Sequence, residues 1–252
     1  MHICYMKKAY FNWSSGKDSS LALYKVLQEK EYQVDKLITN INKDYQRVSM
    51  HGLHESLLEA QAKSIGISLE KIEFPADVTM DLYNQKMKEK TSELTNQGYN
   101  YAVFGDIFLE DLRNYRDSKL KEVGITGVYP LWKKDTKTLL YEFLELGFKT
   151  ITVCTNAKLL GKEFVGRIID EDFIKDLPKN IDVCGENGEF HTFCYDGPIF
   201  KEPVEFEIGE KIQRSYTLNK DDSQNCHTST KEEVKNYDTS FWYCDLKLLE
   251  NS

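Results

Sequence analysis

Ser14-Ser15-Gly16-Lys17-Asp18-Ser19 is the first run in this chain whose residue types could do chemistry together. It follows a short apolar segment at residues 9–13 and precedes a helical pattern that begins near Asp18. Backbone N–H groups at a helix start have no intrahelical partner, and the helix dipole favours negative charge there. A Ser/Gly turn feeding such a helix is therefore a phosphate cradle. Gly16 permits close backbone approach, Lys17 adds a full charge, and Ser14, Ser15 and Ser19 add hydroxyl donors. Asp18 repels a bare phosphate, but it can hold a Mg²⁺ ion that bridges to phosphate oxygens, or cap the helix.

Two commoner nucleotide loops are excluded. A Walker A loop needs Gly five residues before its Gly-Lys pair and Ser or Thr after the Lys, whereas Phe11 and Asp18 occupy those places. No G-x-G-x-x-G follows the first apolar segment, so the dinucleotide fingerprint is absent too. The second dense run is residues 184–193, where two glycines, Glu186, Asn187, Glu189 and His191 crowd into a polar turn. A surface hairpin with solvated charges is the competing reading of that composition.

These residues need a scaffold, and the first 155 positions supply one. Short apolar runs at residues 9–13, 34–41, 68–74, 101–105 and 127–131 read as strands. Helical patterns at 18–30, 53–65, 80–97, 109–123 and 135–146 separate or follow them, and a further apolar run lies at 148–154. Strands alternating with helices of this length predict βαβ units, a five-stranded parallel sheet and helices on both faces. Ligands of such sheets sit at the carboxyl ends of the strands, near a switch in strand order. From residue 156 onward frequent Gly and Pro predict a smaller C-terminal substrate lobe, so the expected division is 1–155 and 156–252. Residues 220–236 read as an exposed polar loop, and residues 241–244 as a late strand that docks back.

The scaffold adds candidates. Asn40 and His51 fall near the end of the second strand and the entry to the next helix. Gly105 and Asp106 follow the fourth strand, where Gly105 lets a ligand approach. Arg113 and Arg116, one helical turn apart, suggest an anion clamp.

The 252 residues hold an ordinary 40% of hydrophobic side chains, enough for a substantial core. The net charge of -8 argues against stable nucleic-acid binding, which rests on Lys and Arg neutralising phosphates. No apolar run of membrane-spanning length and no apolar leader are visible. None of the six cysteines forms a C-x-x-C pair, and a reduced, cytoplasmic protein is expected.

Residues 14–19 resemble the PP-loop of the ATP pyrophosphatase superfamily, with Ser15 in place of that pattern's first Gly. Together with Cys184-Gly185-Glu186-Asn187-Gly188-Glu189-Phe190 and Asp196-Gly197-Pro198, they resemble the diphthine–ammonia ligase family. Supporting stretches are 48–52, 105–107, 129–132 and 160–167, so the likeness covers nearly all of residues 8–206. It implies a Rossmann-like, HUP-type fold and a C–N ligase that uses ATP, Mg²⁺ and ammonia. The carboxylate acceptor it implies is carried on a translation elongation factor. It also implies catalytic roles for Lys17, Asp18, Glu186 and Glu189, nucleotide contacts from residues 14–19, Asn40, His51, Gly105 and Asp106, and substrate contacts from Arg167, Asn187 and His191. Two alternatives share the loop: a pyrophosphatase acting on a small molecule or tRNA, and a non-catalytic ATP- or AMP-binding regulator. Oligomeric state is not legible in the sequence.

Overall fold

The computed structural model describes residues 6–48, 52–216 and 239–249. Its first part alternates as expected: β1 (Lys7–Asn12), α1 (Lys17–Glu29), β2 (Tyr32–Asn42), β3 (Arg47–Val48), α2 (Glu55–Ile65), β4 (Ser68–Phe74), α3 (Met80–Asn96), β5 (Tyr101–Val103), α4 (Glu110–Glu122), β6 (Thr126–Val128) and α5 (Thr136–Glu145). β2 pairs in parallel with β1 and β4, β1 with β5, and β5 with β6. The parallel strands thus lie in the order β4-β2-β1-β5-β6, and the direction of winding reverses between β1 and β5. The short β3 is an addition that pairs antiparallel with the end of β2.

Alternate residues of β1 feed different cores. Ala9 and Phe11 join the cluster formed with Leu23 and Val26 of α1, Leu57 and Leu58 of α2, and Leu140 and Phe143 of α5. Tyr10 joins the opposite cluster with Leu94 of α3 and Leu120 of α4. A strand buried on both faces must read as a continuous apolar run, which is why β1 shows no alternation. Helix starts follow local capping chemistry: Thr79 accepts from Leu82 N at α3, and Asp135 accepts from Thr138 N at α5.

The smaller lobe is a four-stranded antiparallel sheet in the order β8-β7-β10-β9, built from β7 (Lys149–Asn156), β8 (Phe190–Asp196), β9 (Phe206–Tyr216) and β10 (Thr239–Leu248), with the short helix α6 (Glu171–Asp176). β7 reads in the sequence like one more strand of the first region, but its partners are β8 and β10. The expected strand at 241–244 is the centre of the longer β10. β9 places Phe206, Ile208, Ile212 and Tyr216 at alternate positions, a strand pattern at a place where no strand is named from the sequence. The polar stretch 220–236 and His51 lie outside the described residues.

Candidate functional site

The buried run of β1 ends at Trp13, and the chain turns through Ser14, Ser15 and Gly16 into α1. Trp13 is anchored at both polar groups. Its carbonyl accepts from Thr39 Oγ1 at 2.7 Å, and its indole N–H donates to Gln61 Oε1 at 3.0 Å. Ser15 has φ of 70°, a left-handed conformation that a side-chain-bearing residue adopts at a cost of about 1 kcal/mol or more. Its carbonyl accepts from Gln61 Nε2 at 3.0 Å and from Cys194 N at 2.9 Å, which hold the turn in that conformation. Gln61 is fully buried on the apolar face of α2 and escaped the sequence reading. A polar residue among Leu57, Leu58, Ala62 and Ile65 was the available signal.

Gly16 precedes the first turn of α1, and a Cβ there would stand 3.3 Å from the Thr192 carbonyl. The Lys17 backbone N–H donates to Thr192 Oγ1 at 3.0 Å, so β8 packs directly on the loop. Ser14 and Ser19 hydroxyls lie 2.6 Å apart. Lys17 is almost fully buried, and its ammonium donates to both oxygens of Asp18, at 2.8 and 2.7 Å, and to the Cys184 carbonyl. Burial alone would favour the neutral amine, but the charge of Asp18 beside it outweighs that and holds Lys17 protonated. Burial pushes the Asp18 carboxyl up, against the pull of Lys17.

The Cys184 carbonyl belongs to a turn closed on two carboxylates. Asp182 Oδ1 accepts from the N–H groups of Cys184 (2.9 Å) and Glu186 (3.3 Å). Glu189 accepts from the N–H groups of Asp182 (3.1 Å) and Asn187 (2.8 Å) and from Asn187 Nδ2 (3.1 Å). Gly185 (φ 74°) must be Gly, since a Cβ would meet the Phe190 carbonyl at 2.9 Å. Glu189 is buried and does not reach the cleft, whereas Glu186 lines it. The Glu186 carboxyl is pushed up to about 8 by burial and then by the charge of Asp18, with Lys17 opposing.

Across the switch point, Gly105 and Asp106 follow β5. A Cβ at Gly105 would lie 2.9 Å from Ser19 N and 3.0 Å from Asp18 C, so this glycine makes room for the first turn of α1. Asp106 is paired with Arg116, whose guanidinium also lies 4.9 Å from the centre of the Phe104 ring.

The loop 14–19, Glu186, Gly105 and Asp106 line one cleft of about 2220 Å³, between the carboxyl ends of the parallel strands and the second sheet, except that Ser15, read in the sequence as a nucleotide contact, is fully buried and turns its hydroxyl to the Ser14 carbonyl. Asn40, His191 and Asn187 line it as well. Arg167 does not: it pairs with Asp176 at 2.6 Å and lies over the Phe173 ring. The resemblance implies a substrate contact for Arg167, but its backbone joins Thr152 of β7, and its side chain reaches the end of α6. Arg113 likewise stacks on Tyr129 and Trp132 rather than joining Arg116 in the cleft. Among the described residues no group of three or more His, Cys, Asp or Glu is arranged to hold a metal ion by itself. No helix among them is long and apolar enough to cross a membrane.

Comparison with known proteins places this geometry in context. Residues 6–127 match the profile of the diphthamide synthase N-terminal domain, and residues 135–221 that of the diphthamide synthase C-terminal domain. A diphthine–ammonia ligase of Mus musculus is 26% identical over 234 residues, covering 80% of this chain and 84% of that protein. One of Schizosaccharomyces pombe is 28% identical over 144 residues, which are 55% of this chain but 23% of that longer protein. Among solved structures, the U34-tRNA thiolase NcsA from Methanococcus maripaludis with its 4Fe-4S cluster aligns with a TM-score of 0.36 and 16% identity, over 56% of this chain and 58% of that one.

Proposed function

Because this chain belongs to the diphthamide synthase family, we propose that it is an ATP-dependent ligase that adenylates a carboxylate and transfers ammonia to it, as in the conversion of diphthine to diphthamide. The observation that carries the reading is the meeting of Lys17, Asp18 and Glu186 at the switch point of the parallel sheet. An acceptor carboxylate oxygen attacks the α-phosphorus of ATP, the bond to the β-phosphate oxygen breaks, and pyrophosphate leaves. Ammonia then attacks the acyl carbon and AMP departs with its electron pair. The first turn of α1 and Lys17 face the charge that gathers on the leaving pyrophosphate. Lys17 has three N–H donors, all engaged by Asp18 and the Cys184 carbonyl, so the triphosphate takes over at least one of them.

Glu186 suits the second half-reaction. A carboxyl held near 8 accepts a proton from ammonium and leaves the nucleophilic free amine. Asp18 is the residue that would hold magnesium, which needs only one or two protein carboxylates when phosphates and water complete its shell. When bound, that ion supplies positive charge to the phosphate oxygens. The acceptor, whether an elongation-factor side chain or another carboxylate, sits on the second-sheet side with His191 and Asn187.

An acceptor labelled with ¹⁸O in its carboxylate tests the reading. With ATP and ammonium, one labelled oxygen is expected in AMP, alongside stoichiometric pyrophosphate. Formation of ADP and phosphate, or AMP without label, overturns it.

A further inference from the structure

Glu186 and Glu189 are three residues apart, yet only one of them is free to react. The Glu186 carboxylate lines the cleft and has no hydrogen-bond partner among the described residues. Glu189 is 2% exposed, and three N–H donors occupy its two oxygens: Asp182 N and Asn187 Nδ2 on Oε1, and Asn187 N on Oε2. Among the described residues no Lys, Arg or His lies within ion-pair distance of it. Its own carbonyl accepts from Asn156 N at 2.8 Å, which pins this point of the turn to the end of β7. A carboxylate buried without a cation persists only when hydrogen bonds satisfy it, and those bonds here come entirely from the turn that carries Glu186.

We propose that Glu189 is a positioning residue: its buried carboxylate ties Asp182 and Asn187 together, and thereby presents Glu186 to Lys17 and Asp18. The assignment rests on Glu186 being the reacting carboxylate of the proposed ligase. It predicts a division of labour within one motif, with the first Glu facing ammonia and the second shaping the loop. Asp182 closes the other side of the same turn through Cys184 N and Glu186 N, so removal of Glu189 loosens the turn without dissolving it.

Glu189→Gln, Glu189→Asp and Asn187→Ala separate this role from direct participation. The Gln amide turns a donor toward one of the N–H groups it must accept from. Backbone amides of Asp182 and Asn187 are therefore expected to exchange about tenfold faster, with α1 and α2 unchanged. In the same variant kcat is expected to fall about tenfold or more, while KM for ATP stays within about threefold. Glu189→Asp keeps two acceptor oxygens and restores part of both readouts. If Glu189→Gln fails to fold, Asn187→Ala, which removes the carboxamide whose Nδ2 donates to Glu189 Oε1, is expected to show the faster exchange in weaker form, and exchange alone is read because Asn187 also lines the cleft. Unchanged exchange with unchanged kcat overturns the proposal. So does a collapse of kcat with unchanged exchange, which would make Glu189 itself a reacting group. Absence of ligase turnover in the unaltered protein would count against the functional reading alone, because the exchange arm still reports on the turn.

Discussion

Glu186 shows what environment does to a single carboxyl. Burial and the neighbouring Asp18 charge raise it to about 8, so a base role requires its deprotonated form to accumulate only on the alkaline side. The ligation rate is expected to rise with pH through about 8 and then level. Glu186→Gln is expected to remove that limb and lower kcat about 100- to 10,000-fold, read from a pH–rate profile at saturating ammonia. The stability effect has the opposite sign. From the model-compound value of 4.5 up to about 8 the folded chain holds a proton that the unfolded chain has lost, so this group's contribution to stability declines as pH rises across that window. Ser15 is the other instructive residue. A glycine would take φ of 70° without cost, and here Gln61 and Cys194 N hold a serine there instead.

At the scale of elements, the site depends on how closely the β5 loop approaches α1. Gly105 is the contact, with the position of a Cβ only 2.9 Å from Ser19 N, which belongs to α1 itself. Gly105→Ala is expected to push the first turn of α1 away from the loop after β5. ATP binding measured by calorimetry should weaken about tenfold or more, with a stability loss of about 1–3 kcal/mol by denaturant titration. Unchanged affinity would show that the first turn absorbs the methyl group without moving. The sequence reads the small size of Gly105 as room for a ligand, and the structure adds that the same smallness admits the first turn of α1. The approach to a helix assembled from another part of the chain is not visible in residue order. β9 illustrates the same limit: its apolar residues alternate as a strand's do, but its partner β10 is distant in residue order and is not named by that pattern.

Across the whole molecule, the parallel sheet and the smaller lobe share one apolar cluster. Leu23 of α1, Leu58 of α2, Phe193 of β8 and Leu246 of β10 all belong to it. Polar ties cross the same boundary, from Lys17 to the Cys184 carbonyl and from Ser64 to Glu202. The two parts are therefore expected to unfold together. Far-ultraviolet circular dichroism and tryptophan fluorescence, reporting on Trp13 in the loop, Trp132 after β6 and Trp242 in β10, should give coincident transitions in urea. Separate midpoints would mean that the cleft joins two independently stable units.

Residue order by itself determined the alternation of strand and helix, the parallel sheet that follows from it, and the Ser/Gly turn that joins the end of β1 to α1. Each of these rests on local periodicity, turn chemistry and chain-length limits on crossovers. The run at 184–193 stands in the sequence as a candidate site level with a solvated surface hairpin, and only the family resemblance tips that balance. The tertiary structure decided which carboxylate faces the cleft, where Arg167 and Arg113 point, and which sheet receives β7. It also decided that Gln61 braces the loop from a helix 46 residues further along the chain. Those outcomes follow from burial and from partners distant in sequence, and a side chain's exposure is a property of the assembled core and not of its neighbours in the chain.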